Sequence, residues 1–321
     1  MKVKNFKENG KSIYEITSNY NCIIIESEKY DLCSKKARRL ISLIELEPGV
    51  DVLTRDMLKE FINATKVIIP YGIFKIGAGA FKYFANLKQV IIPSSVSMIG
   101  DEAFYNCTSL KHIDLRNVYS IGKEAFRNCI NLTKVKMNKV GFIGKLAFAE
   151  CDKLDNVIIP NVTRIEKGCF TRCIGLKSVT FGNSLLEIEP YTFQSCSNLV
   201  DVNLPNSLKL LGAGAFFGCG SLVKITIPNQ VTRIKPNTFS FCICLEKVEI
   251  KGKVTKIEKR AFFKTYKLKE INLPDSIVKI EECAFSFSGL ENVILPKEIK
   301  YINSCTFSTC ERLKVIILTR I

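Results

Sequence analysis

The sequence predicts an α/β solenoid that is mostly β, in which about 11 to 12 repeats of 22–23 residues stack their strands in parallel. Eleven of the 21 phenylalanines recur at steps of 22 or 23 residues, and aliphatic residues keep the same phase around each. A unit this short cannot bury its own apolar side, so neighbouring units must stack on one another. The repeated phenylalanines are Phe81, Phe104, Phe126, Phe148, Phe170, Phe193, Phe216, Phe239, Phe262, Phe285 and Phe307.

Each repeat contains one predicted strand, which begins about eight residues after the phenylalanine. Segments such as Val202-Asn203-Leu204 alternate apolar and polar residues, as a strand with one buried face does. A proline often follows, and it ends the strand because it has no N–H. The segment around the phenylalanine is too short for a full helix and is predicted to form a turn or a helical turn. The residue before the phenylalanine is always small, which lets the backbone approach the neighbouring repeat.

The period defines the predicted domains. It can be followed back to about residue 41, so we expect a solenoid over 41–321 and an N-terminal cap over 1–40, where the period is absent. The cap is expected to hold a hairpin and a short helix. The expected cap elements are strands at Ser12–Thr17 and Cys22–Glu26, a turn at Ser18–Asn21 and a helix at about Glu28–Leu40.

One family resemblance rests on these repeat residues. The segment Ile121-Gly122-Lys123-Glu124-Ala125-Phe126-Arg127-Asn128-Cys129, followed by Leu132, resembles the BspA-like (Treponema-type) leucine-rich repeat family, and eleven copies are in phase. The resemblance implies a curved, right-handed superhelix that acts as a binding scaffold and has no enzymatic activity. It also implies a possible surface role, since many bacterial members are surface proteins or adhesins that bind host matrix proteins.

Composition narrows the class of protein. The chain carries 47 Lys and Arg against 31 Asp and Glu, a net charge of +16, and 47% of its residues are hydrophobic, which excludes intrinsic disorder. No run of 18 apolar residues exists, so insertion into a membrane is not expected. The first residues do not resemble a secretory signal, so we expect a cytoplasmic protein. The alternative is a cell-surface or secreted protein from which an upstream signal was removed.

Neither a metal nor a cofactor is expected. Eight of the 14 cysteines lie three residues after the repeated phenylalanine, where buried, reduced thiols serve as small apolar groups. Parallel strands lie ~4.8 Å apart, which is longer than the ~3.8 Å between Cβ atoms that a disulfide prefers. A linear row of thiols also does not converge as four zinc ligands must. These cysteines are Cys107, Cys129, Cys151, Cys173, Cys196, Cys219, Cys242 and Cys310.

The outward positions of the strands form the candidate partner-binding face. Solenoids bind along such continuous faces, and the family analogy favours this wall over the others. The candidate residues are Ser178, Thr180, Asp201, Asn203, Lys224, Thr226, Lys247, Glu249, Glu270 and Asn272.

A basic segment is the second candidate. Residues 247–269 hold nine Lys and Arg but only two Glu, all within about one repeat. These side chains form either a solubilising surface or a docking patch for an acidic partner or a polyanion such as nucleic acid. No aromatic residues and no groove-entering helix are predicted beside them, which disfavours nucleic acid. The candidate basic patch is Lys251, Lys253, Lys256, Lys259, Arg260, Lys264, Lys267 and Lys269.

These features together predict a non-enzymatic protein–protein interaction scaffold with an unknown protein partner. The alternatives are a surface adhesin of the same family and a polyanion binder that uses residues 247–269. A weak homodimer through the C-terminal end, residues 301–321, is also expected, because the strand of the final unit, Leu313–Ile321, exposes unpaired backbone groups to a second chain.

Overall fold

A computed structural model describes residues 2–8, 11–18, 21–27, 43–46, 50–299 and 302–318. The chain divides into two compact units, unit 1 over residues 1–154 and unit 2 over residues 155–321. Each unit is a stack of solenoid turns whose strands pair in parallel, with almost no helix. The two units together contain about twelve of these turns. The predicted mostly β solenoid is therefore confirmed.

Unit 1 begins with three antiparallel strands, and the third of these pairs antiparallel with the first strand of the stack. The two predicted hairpin strands lie within β2 and β3, whereas β1 was not predicted. The predicted helix at Glu28–Leu40 and the centre of the predicted turn lie outside the described residues. The strands are β1 Lys2–Glu8, β2 Lys11–Ser18, β3 Asn21–Ser27 and β4 Leu43–Leu46.

Most turns of the stack contribute two strands. The long strand follows the phenylalanine, as predicted, and a second strand of two residues precedes it, which the sequence did not predict. In unit 1 the further long strands are β6 Lys66–Ile68, β8 Gln89–Ile91, β10 His112–Asp114 and β12 Lys134–Lys136. The short strands are β5 Val52–Leu53, β7 Lys75–Ile76, β9 Met98–Ile99, β11 Ser120–Ile121 and β13 Phe142–Ile143.

Unit 2 repeats this arrangement. Its long strands are β14 Asn156–Ile159, β16 Ser178–Phe181, β18 Asp201–Val202, β20 Lys224–Ile227, β22 Lys247–Ile250, β25 Asn292–Leu295 and β26 Val315–Leu318. Its short strands are β15 Arg164–Ile165, β17 Glu187–Ile188, β19 Leu210–Leu211, β21 Arg233–Ile234, β23 Lys256–Ile257 and β24 Lys279–Ile280. Paired strands of one turn and the next are parallel and in register, as at Lys224 and Lys247.

Helix is confined, among the described residues, to the start of the stack in unit 1. A single helical turn, α1 Arg55–Leu58, continues into the 3₁₀ segment Lys59–Phe61. Leu58 occupies the repeat position that phenylalanine takes in the later turns, and its side chain is fully buried.

The segment around each repeated phenylalanine is a set of tight turns, as predicted. The Cys129 N–H donates to the Phe126 carbonyl oxygen at 3.2 Å, and the same bond recurs in other turns. The residues two before and two after the phenylalanine have left-handed backbone conformations, for example Glu124 with φ 54° and Asn128 with φ 60°. These two left-handed residues redirect the chain between the end of the short strand and the start of the long strand of the same turn.

The core of each unit is a ladder of stacked phenylalanine rings. In unit 1, the ring centroids of Phe81, Phe104 and Phe126 lie 4.9 and 5.0 Å apart, and their planes are nearly parallel. In unit 2 the same stacking joins Phe193 to Phe170 and Phe216 at 5.5 and 5.4 Å. These rings are fully buried, so the predicted register of the repeat is confirmed.

The repeated cysteines line the same core. The Cys129 Sγ donates to the carbonyl oxygen of Phe104 in the preceding turn at 3.1 Å, and Cys219 contacts Phe193 in the same way at 3.2 Å. All cysteines with described side chains are free thiols, and seven of the eight repeated ones are buried; Cys310 is partly exposed. Burial raises the pKa of the Cys129 thiol to about 12 and that of Cys196 well above its ordinary value.

Within the described part of the chain, no helix is long and apolar enough to cross a membrane.

Candidate functional site

The outward positions of the long strands form one face of unit 2, which we call the strand face. On β22, Lys247 and Glu249 are exposed while Val248 between them is buried. The in-register pairing places equivalent side chains in rows across the turns, because Ser178 pairs with Asp201. All ten predicted face residues point away from the core, since none of them is buried.

The structure corrects one part of this prediction. Glu270 and Asn272 are exposed, but residues 269–273 do not form a strand. The following turn reaches its leucine, Leu290, one residue earlier than the other turns do. Along this shorter path, the extended segment is joined to the next turn by the bond from Glu291 N to Lys269 O at 2.9 Å.

A groove of about 1320 Å³ lies on the strand face of unit 2. It contains four of the ten predicted face residues: Lys247, Glu249, Glu270 and Asn272. The other six lie outside its lining, and Ser178, Asp201 and Lys224 belong to earlier turns of the same unit. The predicted residues are exposed or half-buried, but the groove on this face is limited to the turns around β22 and β25.

Both charges and apolar groups line this groove. Its cations and carboxylates are balanced, with Lys247, Lys267, Lys269 and Arg312 facing Glu246, Glu249, Glu270 and Glu291, and Ile294 adds an exposed apolar group. Few of these charges are neutralised internally; the Lys267 Nζ lies 3.7 Å from Glu246, and both side chains are more than half exposed. Such exposed pairs are weak, so the charged groups remain free to exchange partners.

Among the described side chains of the strand face, the Asp201 carboxylate has an oxygen without a hydrogen-bond partner. Its Oδ1 atom is buried and accepts no hydrogen bond from the described residues. A buried acceptor without a donor raises the free energy of the folded state.

The predicted basic residues do not form one patch. Lys267 and Lys269 line the groove, and Lys256 and Lys259 each form an ion pair, with Glu281 at 2.5 Å and Glu282 at 2.9 Å. Lys251 and Lys253 are exposed elsewhere on the same turn. Because these side chains point in several directions and some are neutralised, they give no continuous track for a polyanion.

Aromatic residues do accompany part of the basic segment, contrary to the prediction. The Lys264 Nζ lies 5.0 Å from the ring centroid of Phe241, 5.5 Å from Phe263 and 5.6 Å from Phe287. The Arg260 guanidinium carbon lies 5.6 Å from the Phe263 ring. The sequence does contain a signal for these rings: in four successive repeats a second phenylalanine lies one or two residues after the repeated one. Because its position alternates between these two places, it does not follow the 22–23-residue period.

No group of three or more His, Cys, Asp and Glu residues among the side chains that the structure describes could hold a metal ion. His112 is exposed, and its Nδ1 lies 3.1 Å from the Thr133 hydroxyl.

The chain is similar in structure to several leucine-rich repeat proteins of bacteria. One from Bacteroides ovatus has a TM-score of 0.68 and 23% identity over 98% of this chain and 92% of its own. A leucine-rich cell surface protein of Faecalibacterium prausnitzii has a TM-score of 0.50 and 23% identity, with coverages of 98% and 95%. The pneumococcal vaccine antigen PcpA has a TM-score of 0.57 and 18% identity, with coverages of 98% and 87%.

A search among curated proteins found no significant match. The family described as BspA type leucine rich repeat region (6 copies) matches residues 3–133, 51–177, 120–246 and 232–320. These overlapping matches cover nearly the whole chain and coincide with the stacked turns, which confirms the resemblance drawn from the repeat. The chain belongs to the BspA-type leucine-rich repeat family.

Proposed function

We propose that this chain is a non-enzymatic protein–protein interaction scaffold and that the groove on the strand face of unit 2 is its partner-binding site. The groove itself carries this proposal. At about 1320 Å³ it exceeds the size of ordinary small-molecule pockets, which are roughly 300–1,000 Å³. It combines charges of both signs with apolar groups, as protein interfaces do.

The balanced charges favour a protein partner over a polyanion. A nucleic acid or heparin-like chain needs an excess of cations, whereas the groove opposes its four cations with four carboxylates. A protein surface of complementary charge pattern can satisfy both signs.

The proposal is tested with a charge-swapped groove. Partners are captured by cross-linking in the source cells, identified by mass spectrometry and purified for binding measurements. The Lys247→Glu/Glu270→Lys double variant keeps the net charge and is expected to weaken binding by at least about tenfold, since like charges then meet across the interface. Lys209→Glu/Asp275→Lys, a matched swap of two exposed residues off the groove, is expected to bind as the wild type does. Equal affinity of the two double variants would reject the groove as the site.

Two cellular locations are compatible with such a scaffold, and we propose the cytoplasm. The free state of every cysteine with a described side chain supports a reducing compartment. The alternative, a surface adhesin that binds host or matrix proteins, is supported by two structural neighbours, one named as a cell surface protein and one as a vaccine antigen. Labelling of intact cells with an impermeant reagent distinguishes the two, since only a surface protein is modified.

A further inference from the structure

A second surface of unit 2 lies on the turns around the buried phenylalanines, away from the strand face. Four aromatic side chains occupy four successive turns there, and we call them the aromatic row: Phe217, Phe241, Phe263 and Phe287. Neighbouring rings contact each other at tilted or edge-to-face angles, with centroids 5.2, 5.6 and 5.4 Å apart. The row is thus a continuous apolar stripe along the unit.

Neither burial in the core nor the local backbone conformation explains why large aromatic residues occupy these positions. Phe241 is 36% exposed, and the other three are only partly buried. Phe241 and Phe287 have φ angles of 62° and 59°, a left-handed conformation that disfavours large side chains. Other turns place Gly218 or Asn106 at this position, which the conformation favours. Bulky, partly exposed residues held in a costly conformation are typical of functional surfaces.

The row carries positive charge. Lys264 lies within 5.0–5.6 Å of three of the rings, and Arg260 lies over Phe263. Among the residues that the structure describes, Lys264 forms no ion pair, whereas Lys256 and Lys259 in the same repeat each pair with a glutamate. Arg260 forms no direct ion pair there, but Lys259 and, at longer range, Arg260 lower the pKa of the Glu282 carboxyl. A ligand on the row therefore meets apolar surface and positive charge together.

The backbone N–H groups of the four row residues already donate hydrogen bonds within the protein. The Phe241 N–H donates to Phe263 O at 2.8 Å, and the Phe287 N–H donates to Ser308 O at 3.0 Å. A partner cannot use these groups to add a strand to this wall. The rings also touch one another, which leaves no slot between them for a nucleobase to stack. Recognition must rest on apolar contact and on charge.

From these observations we propose that the aromatic row, with Lys264 and Arg260, binds an acidic segment of a partner protein. Apolar side chains of the segment pack on the rings, and its carboxylates face the two cations. The three ring-to-ring distances of 5.2, 5.6 and 5.4 Å give the row the length of an extended chain of roughly five residues, since such a chain rises about 3.3 Å per residue. Aromatic residues and arginine are enriched in protein interfaces, which agrees with this occupant. This second site is independent of the strand-face groove.

Unit 1 provides an internal comparison. Tyr83 and Tyr105 contact each other edge to face at 5.6 Å, and the Lys82 Nζ lies 5.4 and 5.0 Å from their rings. Here, however, Lys82 forms an ion pair with Glu102. The cation is neutralised, so we expect no acidic segment to bind at this pair.

The test uses fluorescent peptides of about eight residues and the full chain. One peptide alternates glutamate with phenylalanine, a second alternates glutamate with serine, and a third alternates lysine with phenylalanine. Only the first is expected to bind. Phe241→Asn and Lys264→Gln are each expected to weaken this binding by about tenfold, the scale of an interface hot spot. Tyr83→Asn, at the equivalent position in unit 1, is the matched control and is expected to leave affinity unchanged.

Folding of the variants is checked by their melting curves, which Phe241→Asn is expected to preserve because asparagine is native at this position in other turns. Equal binding of the glutamate–serine peptide would overturn the proposal, because charge alone would then suffice. It would equally be overturned by failure of all three peptides, or by binding that neither variant at the row weakens. Tighter binding of phosphatidylserine vesicles or of an oligothymidylate would assign the row to a lipid or nucleic acid partner instead.

Discussion

At the scale of the residue, the repeated cysteine combines two properties that its position requires. Its side chain is small and apolar enough for the core, and its thiol donates weakly to a buried carbonyl, as from Cys129 Sγ to Phe104 O at 3.1 Å. In two later turns the substitutes are also small donors. The Thr265 hydroxyl bonds Phe262 O at 2.8 Å, and the Ser288 hydroxyl lies 3.2 Å from the Cys310 thiol. In the turn of Phe81 the buried Phe84 ring takes this place instead. From the turn of Phe104 onward, the position therefore holds a compact donor.

This account predicts graded thiol reactivity. Cys305, which is exposed, should react first with a thiol reagent, and Cys244, Cys283 and Cys310 should react more slowly. The eight buried thiols should stay unmodified until denaturant is added. Peptide mapping by mass spectrometry at timed intervals identifies each modified residue. Rapid modification of Cys129 in the native protein, or its recovery in a disulfide, would contradict the prediction.

Alkaline pH should not abolish this protection. Because burial raises the pKa of Cys129 to about 12, the thiolate is only about one in a thousand of the population at pH 9. A simple peptide thiol, whose pKa is about 8.5, is then mostly thiolate, which is the reactive form, and serves as the control. Raising the pH from 7 to 9 should therefore accelerate labelling of the peptide and leave Cys129 protected.

At the scale of the element, each turn is stabilised mainly by the turns on either side. The Phe193 ring stacks between Phe170 and Phe216 at 5.5 and 5.4 Å and meets Phe181 edge to face at 6.2 Å. No single turn encloses its own ring. Stability in such a stack is approximately a sum of nearest-neighbour contacts.

The Phe193→Ala substitution should consequently destabilise the protein by ~3–5 kcal/mol, through lost burial and the cavity that remains. Since coupling is between neighbours, unfolding should also separate into two transitions in calorimetry or in a denaturant titration. Phe74→Ala serves as the control, because that ring is 54% exposed, and its effect should be much smaller. An unchanged melting curve for Phe193→Ala would contradict the ring ladder.

The sequence predicts the long strands and the ladder well, but not every element. Val248 between Lys247 and Glu249 is an alternating pattern that can be recognised without coordinates. The short strands, such as Lys75–Ile76, span two residues and therefore show no alternation. They form because the stacked turns bring equivalent residues side by side, which is a consequence of the fold rather than of local preference.

At the scale of the whole molecule, the candidate sites were predictable only in part. The outward positions of the strand face followed from alternation, but the extent of the groove depends on how side chains from several turns enclose space. The aromatic row shows the same limit. Phe217 and Phe241 occupy different positions of the repeat, and their contact at 5.2 Å follows only from the stacked coordinates.

Self-association is the last property that the structure makes testable. On β26, all four side chains from Val315 to Leu318 are exposed, between 42% and 56%. The strand pairs in parallel with β25 along one edge. An apolar strand edge that no other described strand covers is a template for pairing with another chain, and two copies related by a two-fold axis would pair their β26 strands antiparallel.

We therefore expect a weak homodimer through this strand, which sedimentation over a wide concentration range should detect as a rising average mass. Ile317→Lys should shift the protein to monomer, because it places a charge in the apolar edge. Ile158→Lys is the matched control, since Ile158 occupies the same repeat position on β14, is 61% exposed and lies on a strand paired with β16. A wild type that stays monomeric at every concentration, or a dimer that Ile317→Lys and Ile158→Lys affect equally, would exclude β26 as the interface.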